Sequence, residues 1–445
     1  MDAFKVILPD NRTFAEYRGK LKALAGESLD VGVEQVGVRE GIVRGHVVDY
    51  LLQQNPGKSV DDLLVRKAGA NRCESITDLE ADVLYRQRIA EDLEPREVVA
   101  VPAAAGGRAW HLEAVNVRAA WQQVGGPDAI DWGGIRVGQI DTGYTRHAAY
   151  GFPNASWIAQ ADCRTFEPFP ITTPGVDPMP FGAVSKGHGT RIGATISGCF
   201  DLPDGFRYRG IAPKVPHVVV RITDSVAINT RQAEFIQALD YLVAEAKVSV
   251  INISLGMFPP QASPDVRNAM ARARSAGVIV VCAAGNGVNE VVVPAALDTA
   301  IAVAGTTFQS LPWNGSSFGP QVAFSAPAAG IFRANPQRNG VGKDFADGGD
   351  GTSYATAITT GAAALWLLRW GPQIAAMYGP GSARVEAFRQ AAMDTARRPP
   401  GWQPTPFGAG ILDIGVLCTD AARALPTMSL VPVPWAIAAT PGAIA

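Results

Sequence analysis

Three side chains in the sequence belong to the residue types that together activate an alcohol for nucleophilic attack. Asp141 begins the triplet Asp-Thr-Gly directly after the apolar run 134–140, His188 lies in a Gly-His-Gly-Thr segment, and Ser353 lies in Gly-Thr-Ser-Tyr-Ala. A serine alcohol is a poor nucleophile until a histidine accepts its proton, and an ionised aspartate holds that imidazole in the required tautomer. The three residues therefore form a candidate hydrolytic centre if the fold brings them together.

Each of these residues also has an ordinary structural role when it is taken alone. An aspartate after a strand is commonly a turn residue, a histidine is commonly structural, and a serine ahead of an apolar helix is a common N-cap. Their joint occurrence in one order favours the catalytic interpretation. The remaining histidines lack such a context and are predicted to have structural roles or to lie on the surface: His46, His111, His147 and His217.

The order Asp141, His188, Ser353 resembles that of the subtilisin-like serine proteases, or subtilases, and differs from the orders in chymotrypsin-like proteases and α/β-hydrolases. The similarity runs from about residue 110 to residue 415 and is carried by segments in the family's order: 110–121, 137–143, 251–256, 283–286, 293–295 and 318–320. The resemblance implies a serine endopeptidase that hydrolyses peptide bonds through an acyl-enzyme.

The same resemblance assigns roles to two further segments. Asn286 would donate its side-chain amide, together with the Ser353 N–H, to the oxyanion of the tetrahedral intermediate. A simple turn is the alternative for Asn286, because its two glycine neighbours favour positive backbone angles. The residues predicted to line the substrate cleft are Ser254, Leu255 and Gly256 on one side and Ala283, Ala284 and Gly285 on the other.

The segment around the serine departs from the family pattern. Subtilases usually carry a proline and a histidine shortly after the serine, where this chain has Ala357 and Ile358. Neither takes a direct part in proton transfer, so the substitutions bear on rate more than on reaction type. The alternative function is a subtilase-shaped pseudoprotease or binding module without turnover, against which the intact Asp141, His188 and Ser353 argue.

Composition and charge exclude several other classes of function. A hydrophobic fraction of 47% with 18% charged residues is normal for a globular protein with a sizeable core. The formal net charge of −2 gives no electrostatic footprint for nucleic acid, so no nucleic-acid partner is expected. The sequence contains neither a dinucleotide-binding glycine motif nor a P-loop, which argues against dehydrogenases and nucleotide hydrolases.

The five cysteines are widely spaced and contain no CxxC pair. This pattern argues against a zinc site and against a dense disulfide framework. Buried free thiols are the simplest interpretation, and a single bridge between Cys163 and Cys199 is the alternative.

The elements that must position these residues alternate between short β-branched runs and helical patterns, which indicates an α/β fold. With the resemblance, we expect a subtilisin-like doubly wound, mostly parallel sheet with helices on both faces. The predicted strands are residues 134–140, 217–222, 248–253, 278–283 and 300–304, and the predicted helices include residues 230–246 and 264–276.

The first hundred residues differ from this pattern. They contain a strand candidate at 4–8, a charged helical stretch at 77–93, an extended run at 98–101 and a similarly extended linker of small residues at 103–107. We therefore expect a small α+β N-terminal domain at 1–105, a catalytic domain at 106–425 and an apolar, proline-containing tail at 426–445. The N-terminal segment is interpreted as an inhibitory chaperone propeptide, an accessory domain or a partner-binding arm. The resemblance favours the first, an intramolecular inhibitor removed when the zymogen cleaves itself.

Membrane, compartment and cofactor leave weaker signals in the sequence. No stretch reaches the ~18 consecutive apolar residues of a transmembrane helix. No secretory signal is visible, so the protein is expected to be cytoplasmic or exported by a route that the sequence does not reveal. The expected chemistry requires no cofactor. Calcium stabilises many subtilases, but no calcium ligands are assigned in this chain, and the acidic run 344–350 fits a flexible loop equally well.

Overall fold

The β-branched runs of the sequence form the centre of a seven-stranded sheet. A computed structural model describes residues 3–9, 13–25, 33–35, 39–76, 101–166, 175–179, 185–258 and 262–427. The strands of the sheet are parallel throughout and lie in the order β13-β12-β11-β10-β5-β9-β6. Their bounds are β5 Val137–Asp141, β6 Arg164–Thr165, β9 His217–Arg221, β10 Val250–Ile253, β11 Ile279–Ala283, β12 Ile301–Thr306 and β13 Val322–Pro327.

Helices cover both faces of this sheet, because successive side chains of each buried strand point to opposite sides. The helices of this part of the chain are α3 Trp110–Ala114, α4 Val117–Gln122, α5 His188–Ser197, α6 Gln232–Ala244, α7 Pro264–Ser275, α8 Thr352–Tyr378, α9 Ser382–Thr395, α10 Pro404–Phe407, α11 Ile414–Thr419 and α12 Ala421–Ala424. On one face of the sheet, Val250 and Ile279 pack with the apolar helix α8, and on the other, Ile251 and Val280 pack with α6 and α7. The predicted doubly wound α/β fold is confirmed.

Short antiparallel pairs and single helical turns complete this region. The pairs are β7 Cys199–Asp201 with β8 Arg207–Arg209, and β14 Ile331–Asn335 with β15 Asp344–Gly349. The 3₁₀ turns are Ala103–Ala105, Gly107–Ala109, Ala148–Tyr150 and Asn229–Arg231. The hairpin β14–β15 leads directly into the serine-bearing helix α8, so it sets the direction from which that helix begins.

The N-terminal part has its own sheet and its own hydrophobic cluster. Its sheet is antiparallel where pairing is described, with the order β2-β3-β1-β4. The elements are β1 Ala3–Ile7, α1 Phe14–Ala25, β2 Val33–Gln35, β3 Glu40–Arg44, α2 Gly45–Gln54, a π-helical segment Asp62–Lys67 and β4 Arg72–Ile76. Val6, Tyr17, Val43 and Leu51 are among the buried side chains between them. The order of strands and helices makes this part an α+β unit.

One sequence-based expectation differs from the structure, and one alternative is excluded. The linker at 103–107 was expected to be extended, but Ala103–Ala105 forms a 3₁₀ turn, in keeping with the high helical propensity of alanine. The interpretation of the cysteines as free thiols is confirmed, with Cys163, Cys282 and Cys418 buried, and the alternative bridge between Cys163 and Cys199 is absent. The charged stretch 77–93, residues 98–100 and the tail beyond residue 427 lie outside the described residues. Across the described ranges, none of the helices combines the length and apolar character needed to cross a bilayer.

Candidate active site

Asp141 is the last residue of β5, so its side chain lies at the carboxyl edge of the sheet, where open α/β sheets bind their ligands. The carboxylate is fully buried. Its Oδ1 accepts from the Thr142 backbone N–H at 2.7 Å and lies 2.8 Å from Nδ1 of His188. Because a carboxylate oxygen only accepts, Nδ1 of His188 carries the proton and Nε2 presents its lone pair on the opposite side of the ring.

His188 is the first residue of α5, and its side chain is almost completely buried. The helix approaches the Asp141 loop closely because residue 189 is glycine. A Cβ at Gly189 would lie 2.1 Å from the Gly143 carbonyl oxygen. The Gly189 N–H donates to Thr142 Oγ1 at 3.1 Å, which ties the start of α5 to the loop after Asp141.

Ser353 completes the arrangement from a third element. Ser353 lies in the first turn of α8, and its Oγ lies 3.3 Å from Nε2 of His188. Ser353 is the second residue of this helix, so its backbone N–H has no acceptor within the helix and lies at the positive end of the helix dipole. The structure thus brings together Asp141, His188 and Ser353, which are separated by up to 212 positions along the chain.

Asn286 lies beside Ser353 with a defined orientation. Its Oδ1 accepts from the Thr352 N–H at 2.9 Å and from the Thr352 hydroxyl at 2.8 Å. Its Nδ2 faces the serine side, since a Cβ built on Gly351 would lie 3.4 Å from Nδ2 and 3.9 Å from the Cβ of Ser353. Among the described residues, Nδ2 has no hydrogen-bond partner, so it remains available to an oxyanion.

The two segments predicted to line the substrate cleft follow the neighbouring strands β10 and β11. The Ser254 hydroxyl donates to the Ser353 carbonyl at 3.3 Å and accepts from Asn252 Nδ2 at 3.1 Å, so it supports the serine-bearing helix. Leu255 is buried, and Gly256 already pairs with the segment 226–228: its N–H donates to the Val226 carbonyl and its carbonyl accepts from Ile228, each at 2.9 Å. A substrate that accepts from the Gly256 N–H must therefore displace its hydrogen bond to Val226, whereas the Gly256 carbonyl has a second lone pair to offer.

The opposite segment is also engaged within the protein. Ala283 ends β11, and the Ala284 N–H donates to the Val303 carbonyl at 3.0 Å. The Gly285 N–H donates to Thr352 Oγ1 at 3.3 Å, which joins this wall to the start of α8. These three residues position the asparagine that follows them.

Sequence reasoning missed Asp177, which supports the site from beneath through Thr142. Thr142 Oγ1 donates to Asp177 Oδ2 at 2.9 Å, and Asp177 also accepts from the N–H groups of Met179 and Gly187. Burial raises the pKa of Asp177, against the effect of these donors and of Arg221. Asp177 lies in a stretch without periodicity, so only the Thr142 beside the catalytic candidate could have signalled this contact.

The remaining histidines with described side chains are buried inside the fold. Burial lowers the pKa of His111 and of His147 to about 4 and that of His217 to about 3. The ring of His147 accepts from the Ala149 N–H and lies 3.0 Å from the Asp344 carbonyl, so it joins the Asp141 loop to β15. In the part of the chain that is described, no group of His, Cys, Asp and Glu side chains converges to hold a metal ion.

Comparison with known proteins places the chain in a family. Residues 134–410 match the subtilase family. The chain is 24% identical to the minor extracellular protease Epr of Bacillus subtilis over 327 residues, covering 71% of this chain and 42% of Epr. It is 28% identical to subtilisin DY of Bacillus licheniformis over 190 residues, covering 42% of this chain and 65% of that protein. The chain therefore spans between about two fifths and two thirds of the length of these relatives.

Solved structures agree on the fold. Crystalline MycP1 with its N-terminal propeptide removed superposes with a TM-score of 0.51 at 23% identity, covering 70% of this chain and 96% of MycP1. A protease from Pseudoalteromonas arctica superposes with a TM-score of 0.54 at 19% identity, covering 69% of this chain and 94% of that one. Since the family match covers well over half of the sequence, the chain belongs to the subtilase family.

Proposed function

We propose that the protein is a serine endopeptidase in which Ser353 is the nucleophile, His188 the general base and Asp141 the residue that orients and stabilises the imidazole. The observation that carries this proposal is the continuous contact from Asp141 Oδ1 to His188 Nδ1 at 2.8 Å and from His188 Nε2 to Ser353 Oγ at 3.3 Å. Membership of the subtilase family supports it independently.

The chemistry follows from these positions. Ser353 Oγ attacks the carbonyl carbon of the scissile peptide as its proton passes to Nε2 of His188. The resulting oxyanion is bound by the Ser353 N–H and by Nδ2 of Asn286. His188 then gives the proton to the leaving amine, which departs and leaves an acyl-enzyme on Ser353. Water, deprotonated by His188, hydrolyses this ester and restores the serine.

Polypeptides are the proposed substrates, bound between the segments 254–256 and 283–285. An apolar cluster lies beside this region: Ala227, Val288 and Val292 are buried together, and Val226 and Phe258 pack against them. We therefore expect the enzyme to prefer apolar residues just before the scissile bond. No cofactor enters the proposed chemistry, and no calcium site is assigned.

The N-terminal segment, residues 1 to about 105, is proposed to be a propeptide that inhibits the enzyme and is removed by self-cleavage. Two observations support a folded unit that contacts the catalytic part, as this role requires. The segment forms an α+β unit with its own core. Lys5 of β1 is buried and its Nζ donates to the Thr230 carbonyl, at 2.8 Å, just ahead of α6.

The test is hydrolysis of casein, an unstructured polypeptide, by the purified chain and by Ser353→Ala. The proposal predicts cleavage by the first and none by the second, with matching circular dichroism spectra. A wild-type chain that is folded, freed from residues 1–105 and still inactive would favour the pseudoprotease. A Ser353→Ala variant that cleaves would refute the nucleophile assignment.

A further inference from the structure

Gln139 lies two residues before Asp141 on β5, and both side chains therefore point to the same face of the sheet. Its side chain is fully buried. The Nε2 group lies 3.1 Å from Asp141 Oδ2 and 3.0 Å from the Gly189 carbonyl oxygen. We propose that Gln139 is a positioning residue that holds the carboxylate of Asp141 in the orientation needed by His188. This role rests on the proposed function of the Asp141, His188 and Ser353 site.

The direction of the glutamine amide follows from its partners. Both groups near Nε2 are acceptors, a carboxylate and a carbonyl, so the nitrogen end must face them and the oxygen end must face away. At Asp141, Oδ1 receives the Thr142 N–H and the His188 N–H, whereas Oδ2 receives Gln139. The two oxygens are thus held by different partners, and the contact of Gln139 with Oδ2 adds to the resistance against rotation of the carboxylate about its Cβ–Cγ bond.

The backbone is shaped to admit this side chain. A Cβ on Gly193 of α5 would lie 2.6 Å from Gln139 Oε1, 2.4 Å from the Tyr150 hydroxyl and 3.0 Å from Cε1 of His217. Three polar side chains thus converge on the space that glycine leaves open behind Asp141. Tyr150 donates to the Thr190 carbonyl at 3.0 Å, which fixes one wall of this space.

Retaining a glutamine here has a cost in stability. Within the described residues, Gln139 Oε1 and His217 Nε2 are buried without a hydrogen-bond partner. Unpaired buried acceptors destabilise a fold, and an apolar side chain on β5 would avoid that penalty. Such local departures from good packing are concentrated at functional sites, and the function available to Gln139 is its contact with Asp141.

The other ionisable groups around Asp141 leave the pH dependence readable. His188 faces it from α5, Arg221 lies beside it on β9, and His217, Tyr150 and Asp177 lie nearby. Burial lowers the pKa of His217 to about 3 and raises that of Tyr150, so both keep a constant charge between about pH 5 and pH 9. Asp177 is common to all the variants below.

The decisive substitution is Gln139→Met, which keeps the approximate volume and removes the donor. Without this donor, more negative charge remains on the Asp141 carboxylate and stabilises the imidazolium of His188. The acid limb of kcat/KM therefore moves to higher pH. We expect a shift of about 0.5 to 1 pH unit, and a kcat per active site lower by about tenfold with KM unchanged. A purely structural role would lower the melting temperature without moving the acid limb.

Gln139→Glu and Ser197→Ala are the matched variants. A carboxylic acid buried beside a carboxylate keeps its proton, so Gln139→Glu still donates to Asp141 and should retain most of kcat near neutral pH. Ser197 Oγ lies 3.0 Å from His217 Nδ1 in the same cluster and donates to the Gly193 carbonyl, and among the described residues it forms no hydrogen bond to Asp141. Ser197→Ala should therefore leave the acid limb in place.

The experiment measures pH profiles per titrated active site for the wild type and the three variants. It also measures the low-field resonance of the His188 Nδ1–H in a Ser353→Ala background, which needs no turnover. Folded wild type that is freed from residues 1–105 and still inactive overturns the proposed function, and the resonance then tests Gln139 alone. A resonance that moves in Gln139→Met but not in Ser197→Ala supports the inference. If the acid limb, the kcat and the resonance of Gln139→Met all equal those of the wild type, the inference is wrong. If Gln139→Met does not fold, loss of kcat near neutral pH in folded Gln139→Glu overturns the inference instead.

Discussion

The hydroxyl of Thr352 lies 2.8 Å from Oδ1 of Asn286 and determines which end of the asparagine amide faces Ser353. With Oδ1 held by the hydroxyl and by the Thr352 N–H, Nδ2 is left on the side of the serine. The residue before the nucleophile thereby orients the proposed oxyanion donor.

This relationship predicts graded losses of activity. Asn286→Ala should lower kcat on the order of 10²–10³, the usual result of removing one oxyanion donor, with little change in KM. Thr352→Val should cause a smaller loss, because the backbone N–H at position 352 remains and still holds Oδ1 of Asn286. Steady-state kinetics on a peptide substrate measures both. Equal kcat in wild type and Asn286→Ala would remove Asn286 from the oxyanion site.

The activity should rise with pH along a single acid limb. His188 accepts the serine proton only when it is neutral, so protonation abolishes turnover. The other histidines with described side chains do not contribute above about pH 5, because burial lowers the pKa of His111 and His147 to about 4 and that of His217 to about 3. The measurement is kcat/KM against pH. Full activity at about pH 4.5 would exclude a histidine base.

The same buried histidines predict a loss of stability in acid. The unfolded chain binds protons on histidine below about pH 6.5, whereas His111 in the folded chain resists protonation down to about pH 4, so stability falls as the pH decreases between these values. His111→Phe should recover about 2 kcal/mol of the loss between pH 7 and pH 5. Urea denaturation at the two pH values measures it, with the value at pH 7 as the internal control. An unchanged pH dependence would contradict the prediction.

Self-cleavage should occur on the N-terminal side of Arg108, between Val101 and Gly107. Arg108 Nη1 lies 2.5 Å from Asp204 Oδ2, and the Trp110 indole donates to the Gly330 carbonyl at 3.0 Å, so the chain is anchored from there onward. The 3₁₀ turn at Ala103–Ala105 must open for the bond to reach Ser353. Intact-mass spectrometry over time should show the cut in wild type and an uncut Ser353→Ala chain. Active wild type that stays uncut, and is not inhibited by added residues 1–105, would make the segment an accessory domain.

The sheet and its helices could be predicted closely because their signals are local. The run 278–283 gave β11 Ile279–Ala283, and the pattern at 264–276 gave α7 Pro264–Ser275. Buried parallel strands are continuous apolar runs, and the helices between them carry a helical period. The prediction of an extended linker at 103–107 was wrong, because its small residues fit an extended segment and a helical turn equally well.

The site could be predicted only where residue types and their order along the chain carry a signal. Asp141, His188 and Ser353 were found because their order is informative, and the structure places them in contact. Gln139 and Asp177 were missed, because a polar residue in an apolar run and an aspartate in an irregular segment have no pattern that reveals their partners. Their contacts depend on tertiary packing, which spacing along the chain does not encode.

The most direct measurement of the central claim is covalent labelling by a fluorophosphonate, which reacts with a serine only when that serine is activated. The account predicts that mature protein is labelled once, on Ser353, as located by mass spectrometry of the digest. Labelling should be lost in Ser353→Ala and strongly slowed in His188→Ala and Asp141→Ala. Folded mature protein that takes up no label, or takes it up at another serine, would contradict the account.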